Sequence, residues 1–573
     1  MDRRAFVRSA AGAPLAFPHP PGGEWPADVA AYQDGCGWVD VTQPSVGVVG
    51  DGSLGRNAEK IEAAIAAGFR RLYFPPGAYL LERTVGLARD GLAIRGAGAA
   101  LTRFRRVAGA QPGEMVAMFI TAPSGTGLDL SGFTLDGSDD PLHVQGIGVF
   151  GWREVVLRDL GARSIEMLSH FQGVRGFRID GIAGREMVEG ISLSQSSRGT
   201  VTRVVLDGCD EGIDFYDCED VAVEHVHVVA RSPRVIGPVA ESQVGVDFSS
   251  CRRVTIAGST FQGHTIGIKL KQEGPTGGAL RPVEDVAITG CRILDFGVYG
   301  IKSEVEEGRG VRIEGNTIRS PGQPGEDRRG IGWAGARALE EVVIAGNTIE
   351  ARYSALHLGG GRAIDIRDNL LRSWGWSAAH VEGVDGLALT GNRIQGNVAM
   401  PAVQIAGADD PSVESNQVTN PEGGGILVSN TRRPVIRGNT VRGVGYGGVY
   451  LHWRGTERLD ARDRLLGFVV DGNVVSGWGQ RTGNAAAVEL RIEEIPAGAW
   501  SEGTLSSNRL LLDNSVSSTA QYGFAFYLPA GVSLQDVKSD ANLVYGAAVD
   551  YANAGVLGPG STRSGNTFKA LLP

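Results

Sequence analysis

The stretch "VRIEGNTIRS", residues 311–320, sets an alternating strand before a glycine–asparagine pair and a second alternating strand after it. The phrase returns as "VVIAGNTIEA" (342–351), "AIDIRDNLLRS" (363–373), "LALTGNRIQG" (387–396), "PVIRGNTVRG" (434–443) and "FVVDGNVVSG" (468–477). Its asparagines are Asn316, Asn347, Asn369, Asn392, Asn416, Asn439 and Asn473, at steps of 31, 22, 23, 24, 23 and 34 residues. Each strand alternates apolar with polar, as in Val311-Arg312-Ile313-Glu314, so one face is buried. A repeat of about two dozen residues, with longer steps read as inserted loops, is half the ~40–45 residues of a propeller blade. It predicts a parallel β-helix, in which coils of short strands stack at ~4.8 Å and share a core. Asparagines at one corner can then bond along the stack as a ladder.

The totals agree. The chain has 573 residues, 42% hydrophobic and 7% aromatic, with 85 glycines, about twice the usual share and without a three-residue period. Frequent tight turns between short strands account for that. A formal charge of −9 argues against a general nucleic-acid binder, while leaving room for a local basic patch on an acidic substrate. No segment approaches the ~20 apolar residues of a membrane-spanning helix. Of five cysteines, Cys36, Cys209, Cys218, Cys251 and Cys291, none has metal-ligand spacing, and a single bridge from Cys209 to Cys218 is the pairing left open.

Two segments lie outside the repeat. Asp2-Arg3-Arg4-Ala5-Phe6-Val7-Arg8 looks like a twin-arginine export signal, implying a periplasmic or secreted protein, against the alternative of an ordinary basic N-terminus. In "GVVGDGSLGRNAEKIEAAIAAGFRRLYFPPGAYLL" (47–81), Asn57 is placed to cap a helix over 58–67 that Gly68 ends, followed by the strand Leu72-Tyr73-Phe74. This block resembles the opening of the pectate-lyase-like superfamily, where a Gly-Asp-Gly turn, a capping helix and an FPPGxY strand close one end of a right-handed solenoid. Leu54-Gly55-Arg56-Asn57 replaces the Asp-Asp usual after the turn. The resemblance spans roughly residues 40–515 and implies a right-handed parallel β-helix of roughly a dozen coils with an N-terminal capping helix. The expected organisation is a signal and linker over 1–25, the cap and first coils over 30–125, the β-helix over 126–515 and a C-terminal cap over 516–573. The superfamily includes lyases, hydrolases, epimerases and phage tailspikes, so it implies no one activity.

Aligning the coils on a Gly/Ala-led strand gives an outward column of Ser192, Asp214, Asp247, Lys269, Lys302, Gly332, His357, His380, Gln404, Leu427 and Tyr450. A second column holds Tyr216, Ser249, Lys271, Glu304, Glu382 and His452. Asp214, Asp247, Lys269 and Lys302 are expected on successive rungs, as an ionisable cluster or as a solvated ladder of opposite charges. Long insertions at 230–243, 272–282 and 321–330 could wall a groove over it. Trp374 and Trp376 in "RSWGWS" are candidate platforms for sugar rings, against turn packing for one of them.

The resemblance and the charged column together suggest a polysaccharide substrate. In β-elimination a base takes the proton beside a uronate carboxylate while cations neutralise that carboxylate. A lysine serves as base if a neighbouring ammonium lowers its pKa, which assigns catalysis to Lys269, Lys302, Asp247 and Asp214. Lys271, Glu304, His357, His380, Glu382, Trp374, Trp376 and Arg252 would bind substrate, with Arg253 beside Arg252. Hydrolysis would instead use paired carboxylates, Asp214 with Asp247, or Asp217 or Glu304. The polygalacturonase motif set is absent as a set. Epimerisation shares the proton abstraction, and a binding scaffold without catalysis is the remaining alternative. No cofactor is required, although Asp214, Asp217, Glu219 and Asp220 crowd one rung and its turn, oxygen donors that would suit Ca²⁺ as against a solvated acidic turn.

Overall fold

A computed structural model describes residues 37–107, 116–138, 144–230, 243–272, 281–333, 339–454, 467–481, 484–493, 498–512, 520–530, 532–545, 547, 549–553, 557 and 561–569. They fall into two compact units, one holding the described residues up to His264 and the other those from Thr265 onward.

In the second unit, strands Ile266–Lys271, Ala287–Thr289 and Arg292–Leu294 make one coil. Tyr299–Glu304, Arg312–Glu314 and Thr317–Ser320 stack on them in parallel. Like residues lie over like: Ile293, Ile318, Ile349, Leu371, Ile394, Val418, Val441, Val475 and Leu510 form one buried row in register. Each such side chain removed from water contributes ~1.5–3 kcal/mol, and no coil can bury its row alone.

The asparagine ladder closes one corner. Asn369 Nδ2 donates to Asn392 Oδ1 at 2.9 Å and to Ile344 O at 2.8 Å, and its backbone N–H reaches the same Asn392 oxygen at 2.9 Å. The pattern repeats from Asn316 through Asn347, Asn416, Asn439 and Asn473 to Asn508, Asn542 and Asn566. The last two lie in the stretch expected to be a cap. There Thr567–Lys569 still pairs in parallel with Leu543–Tyr545, so coils continue where their flanking sequence no longer resembles the repeat.

The first unit is also built of parallel rungs, among them Arg175–Ser194 on Ser197–Tyr216 and the latter on Val244–Ser249. Its helix, Asn57–Ala66, differs from expectation at its start. Asn57 is buried and makes no capping bond; its side chain ties Val49 and Leu80 together instead. Glu82 supplies acceptors to the Ala58 and Glu59 amides at 3.2 and 3.3 Å, placing a carboxylate at the positive end of the helix. Cys209 and Cys218 are both buried free thiols rather than a bridge. Each Sγ instead points at a backbone carbonyl, that of Glu211 at 3.1 Å and that of Leu193 at 3.2 Å. No described helix is long and apolar enough to cross a membrane.

Candidate functional site

The four-residue column of acids and lysines divides between the units, Asp214 and Asp247 in the first and Lys269 and Lys302 in the second. On the second unit Lys269 and Lys302 are neighbours in register. Their side chains are only 12% and 15% exposed, so both ammonium groups sit low on the sheet face. The register alignment places Glu304 beside Lys271 in the outer column. Its carboxylate nevertheless turns back between the two lysines, 2.9 Å from Lys269 Nζ and 2.6 Å from Lys302 Nζ. Burial pushes the Glu304 carboxyl up, but the bonds from Lys302 and Lys269 outweigh it and hold the group below its ordinary value. The expected mutual repulsion of two ammoniums, the reason for assigning a lysine base, is thus offset by an anion touching both. These residues are arranged as a positioned cation pair.

The strand of Lys302 and the rung after it hold residues that the column reading missed. Tyr299 and Arg329 precede the glycines of "GIK" and "GIG" and stand in register with each other. Arg329 Nη1 donates to the Tyr299 hydroxyl oxygen at 2.7 Å, while Nε and Nη2 bond Asp327 at 2.9 and 2.8 Å. Its guanidinium lies 5.1 Å from the Tyr353 ring centre and 5.5 Å from that of Tyr299, a stacking distance for a delocalised cation. Lys302 Nζ is also 5.5 Å from the Tyr299 ring. The Tyr299 ring can lie there because the column residue on the following rung is Gly332, where a Cβ would fall 2.7 Å from Tyr299 Cε1. Tyr299 and Arg329 each stand one place before the glycine that leads their strand, and Ser354, before Ala355, follows them in register. Asp327 and Arg329 come from the 321–330 insertion; of the insertions at 230–243 and 272–282, residues 231–242 and 273–280 lie outside the described residues.

His357 follows Gly332 in register, and His380 follows His357. The two rings stack at 4.8 Å with 29° between planes. Burial, Arg329 and His380 together push His357 down to about 4, so its imidazole is neutral at neutral pH. His380 is lowered too, chiefly by burial. Trp376 is half-buried and stacks on Tyr353 at 5.7 Å and 6°, with an edge toward His380. It forms a wall beside the histidines rather than a free platform. Trp374 is likewise half-buried, and Glu382 is exposed beside His380. Lys271 is half-buried at the end of its strand.

On the first unit, His170, Ser192, Asp214 and Asp247 occupy one column on successive rungs. His170 Nδ1 is 3.3 Å from Ser192 Oγ, and burial lowers the histidine. The acidic turn is met by the arginines expected to bind substrate. Arg253 pairs with Glu219 and with Asp220, and Arg252 reaches Glu219 at 3.5 Å. Two of the four oxygen-donor residues considered for Ca²⁺ therefore face guanidinium groups. Among the described residues no group of three His, Cys, Asp or Glu side chains is arranged to hold a metal ion.

The chain matches a family model described as a right handed beta helix region over residues 169–326 and 327–460. No curated protein matches it. Among solved structures it is similar to the catalytic unit of a GH87 α-1,3-glucanase from Streptomyces thermodiastaticus, at 14% identity over 92% of this chain and 69% of that one, with a TM-score of 0.31. It is similar to the A-module of the Azotobacter vinelandii mannuronan C-5 epimerase AlgE6, at 14% identity over 90% and 99%, with a TM-score of 0.23. It is also similar to pre-mature bacteriophage phi29 gene product 12, at 15% identity over 93% and 73%, with a TM-score of 0.36. At these scores the likenesses carry no argument about chemistry.

Proposed function

We propose, from the premise that this chain belongs to the right-handed β-helix family, that it is a polysaccharide lyase cleaving a uronate-containing chain by β-elimination on the face of its second unit. The observation that carries this reading is a neutral, half-buried His357 on the same column as a lysine pair, with the Arg329–Tyr299 contact between them. His357 would take the proton from the carbon beside the uronate carboxylate. Lys269 and Lys302, held by Glu304, would stabilise the charge that spreads onto that carboxylate. As the electron pair forms the new carbon–carbon double bond, the glycosidic carbon–oxygen bond breaks. The Tyr299 hydroxyl, its oxygen fixed by Arg329, would give its proton to the leaving oxygen. Trp376 and Tyr353 would wall the bound sugar. This assigns Lys269 and Lys302 to charge stabilisation, His357 to the base, and His380 to supporting it.

Incubation with polygalacturonate, polymannuronate, polyguluronate and glucuronate polymers tests the proposal through ultraviolet absorbance of the unsaturated product. A rise that His357→Gln and Tyr299→Phe each abolish is the expected result. Absence of any rise across that set overturns it. Deuterium entry at the sugar carbon in D₂O, without chain cleavage, would replace elimination by epimerisation.

One observation favours a second reading. Asp214 and Asp247 stand opposite each other on adjacent parallel strands, a spacing of ~4.8 Å against the ~5–5.5 Å of retaining hydrolases. New reducing ends without absorbance, lost in Asp247→Asn, would favour hydrolysis on the first unit.

A further inference from the structure

Further along the second unit the outward column continues in register from His357 through His380, Gln404 and Leu427 to Tyr450 and Glu489. Around Tyr450, four rungs or ~19 Å from His357, opens a cavity of about 410 Å³ lined by Leu427, Tyr446, Tyr450, His452, Glu489 and Arg491. That volume lies within the range of small-ligand sites. Two glycines make room for its Tyr450 ring. A Cβ on Gly424 or on Gly447 would lie 2.8 Å from the Tyr450 ring, and the Gly447 amide donates to the Tyr450 hydroxyl. The ring is therefore laid flat and pinned. Tyr446, 38% exposed, and Leu427 add apolar surface beside it.

The polar side of the cavity is matched internally. Arg491, the arginine lining it, bonds Glu489 at 2.8 Å and Glu493 at 3.2 Å and stacks 4.7 Å over Tyr527. Glu493 also lies 3.5 Å from His452. A uronate carboxylate brought here would meet two carboxylates around one guanidinium. A neutral pyranose would set its C–H face on tyrosine and its hydroxyls against a carboxylate acceptor and a guanidinium donor.

We propose that this cavity is a distal subsite for a neutral pyranose, chemically distinct from the lysine–histidine face. The proposal goes beyond the lyase reading and does not rest on elimination taking place.

Titration calorimetry of the full chain with cellohexaose, xylohexaose and mannohexaose tests it. Saturable binding of at least one is expected, weakened about tenfold by Tyr446→Ala and by Glu489→Gln, and unchanged by Lys302→Ala. Tyr446 is exposed enough that its loss should not unfold the protein, and thermal melting checks this. The inference is overturned if none of the three binds, if both cavity variants bind as the wild type does, or if an oligogalacturonate displaces the neutral sugar in a Tyr446-dependent way. Unsaturated uronate released by a protein that binds no neutral hexasaccharide would sink this inference and leave the lyase reading standing. Neutral binding without release would do the reverse.

Discussion

Asn392→Ala should destabilise the second unit by about 3 kcal/mol, through the donors it leaves behind rather than the volume it removes. Asn392 is 1% exposed, so water cannot replace its bonds. Its Oδ1 accepts the Asn369 backbone N–H and the Asn369 Nδ2, both at 2.9 Å. Its Nδ2 donates to Ile366 O at 2.8 Å and to Asn416 Oδ1 at 3.0 Å. Alanine strands the Asn369 N–H outright. The Asn369 amide group keeps Ile344 O, and Asn416 Oδ1 keeps the backbone N–H of residue 392. One wholly orphaned buried donor and one half-satisfied amide, at ~1–3 kcal/mol each, give the figure. Asn566→Ala is the control: it removes the same acceptor from Asn542, but at a half-buried position that water can reach, and should cost under ~1 kcal/mol. Because stacked repeats need not unfold in one step, native-state hydrogen exchange at the 347 and 369 amides should accompany urea midpoints. A cost for Asn392→Ala within about 0.5 kcal/mol of wild type, or equal to that of Asn566→Ala, would refute the reasoning.

On the face of the second unit, Gly332→Ala should fold but lose uronate cleavage, because its Cβ would push the Tyr299 ring from its seat; circular dichroism and the absorbance assay separate the two effects. If His357 is the base, the acid limb of kcat/KM should fall near pH 4 rather than at the ordinary 6.5, and titration from pH 3 to 8 decides this. Stability should follow the same sign: burial pushes His264 down to about 4, so the unfolded chain binds its proton first. Stability is then lost as pH falls from about 6.5 to about 4, read as a falling urea midpoint that His264→Gln flattens. Cys209 and Cys251 are buried and their thiols pushed well up, so native protein should resist alkylation there while urea exposes four free thiols among the described residues, with no change in melting on adding reductant.

The coils were legible because the residues that build them repeat for a reason local to each corner. An amide has two N–H donors, one for a carbonyl below and one for the asparagine of the next rung, and an oxygen that accepts from the rung beside it, so Asn316 to Asn473 recur where hydrophobic residues merely alternate. Register was legible for the same cause: Lys269 over Lys302 and Lys271 over Glu304 follow from counting two and four residues past each leading glycine. Direction was not. Glu304 is long enough to leave its own column and bridge the lysines, and backbone register says nothing about which way a flexible carboxylate turns. Asn57 shows the same limit at the helix, where an acceptor of the right type in the right place bonds Val49 and leaves the amides to Glu82, just past the strand Gly77–Leu81. Tyr299 and Arg329 escaped for a different reason. Their importance depends on an absence, the missing side chain of Gly332, and a glycine in a chain with 85 of them carries no signal until the ring that fills its space is seen. A β-helix face is therefore best read by looking for the rung where an outward column drops to glycine beside an aromatic residue, because there the sheet makes room for a side chain to lie across it. At Tyr450 the room is made from the other side: the column keeps the ring, and Gly424 and Gly447, each one place before the glycine that leads its strand, leave the space it fills, which is the physical ground for treating that cavity as built rather than incidental.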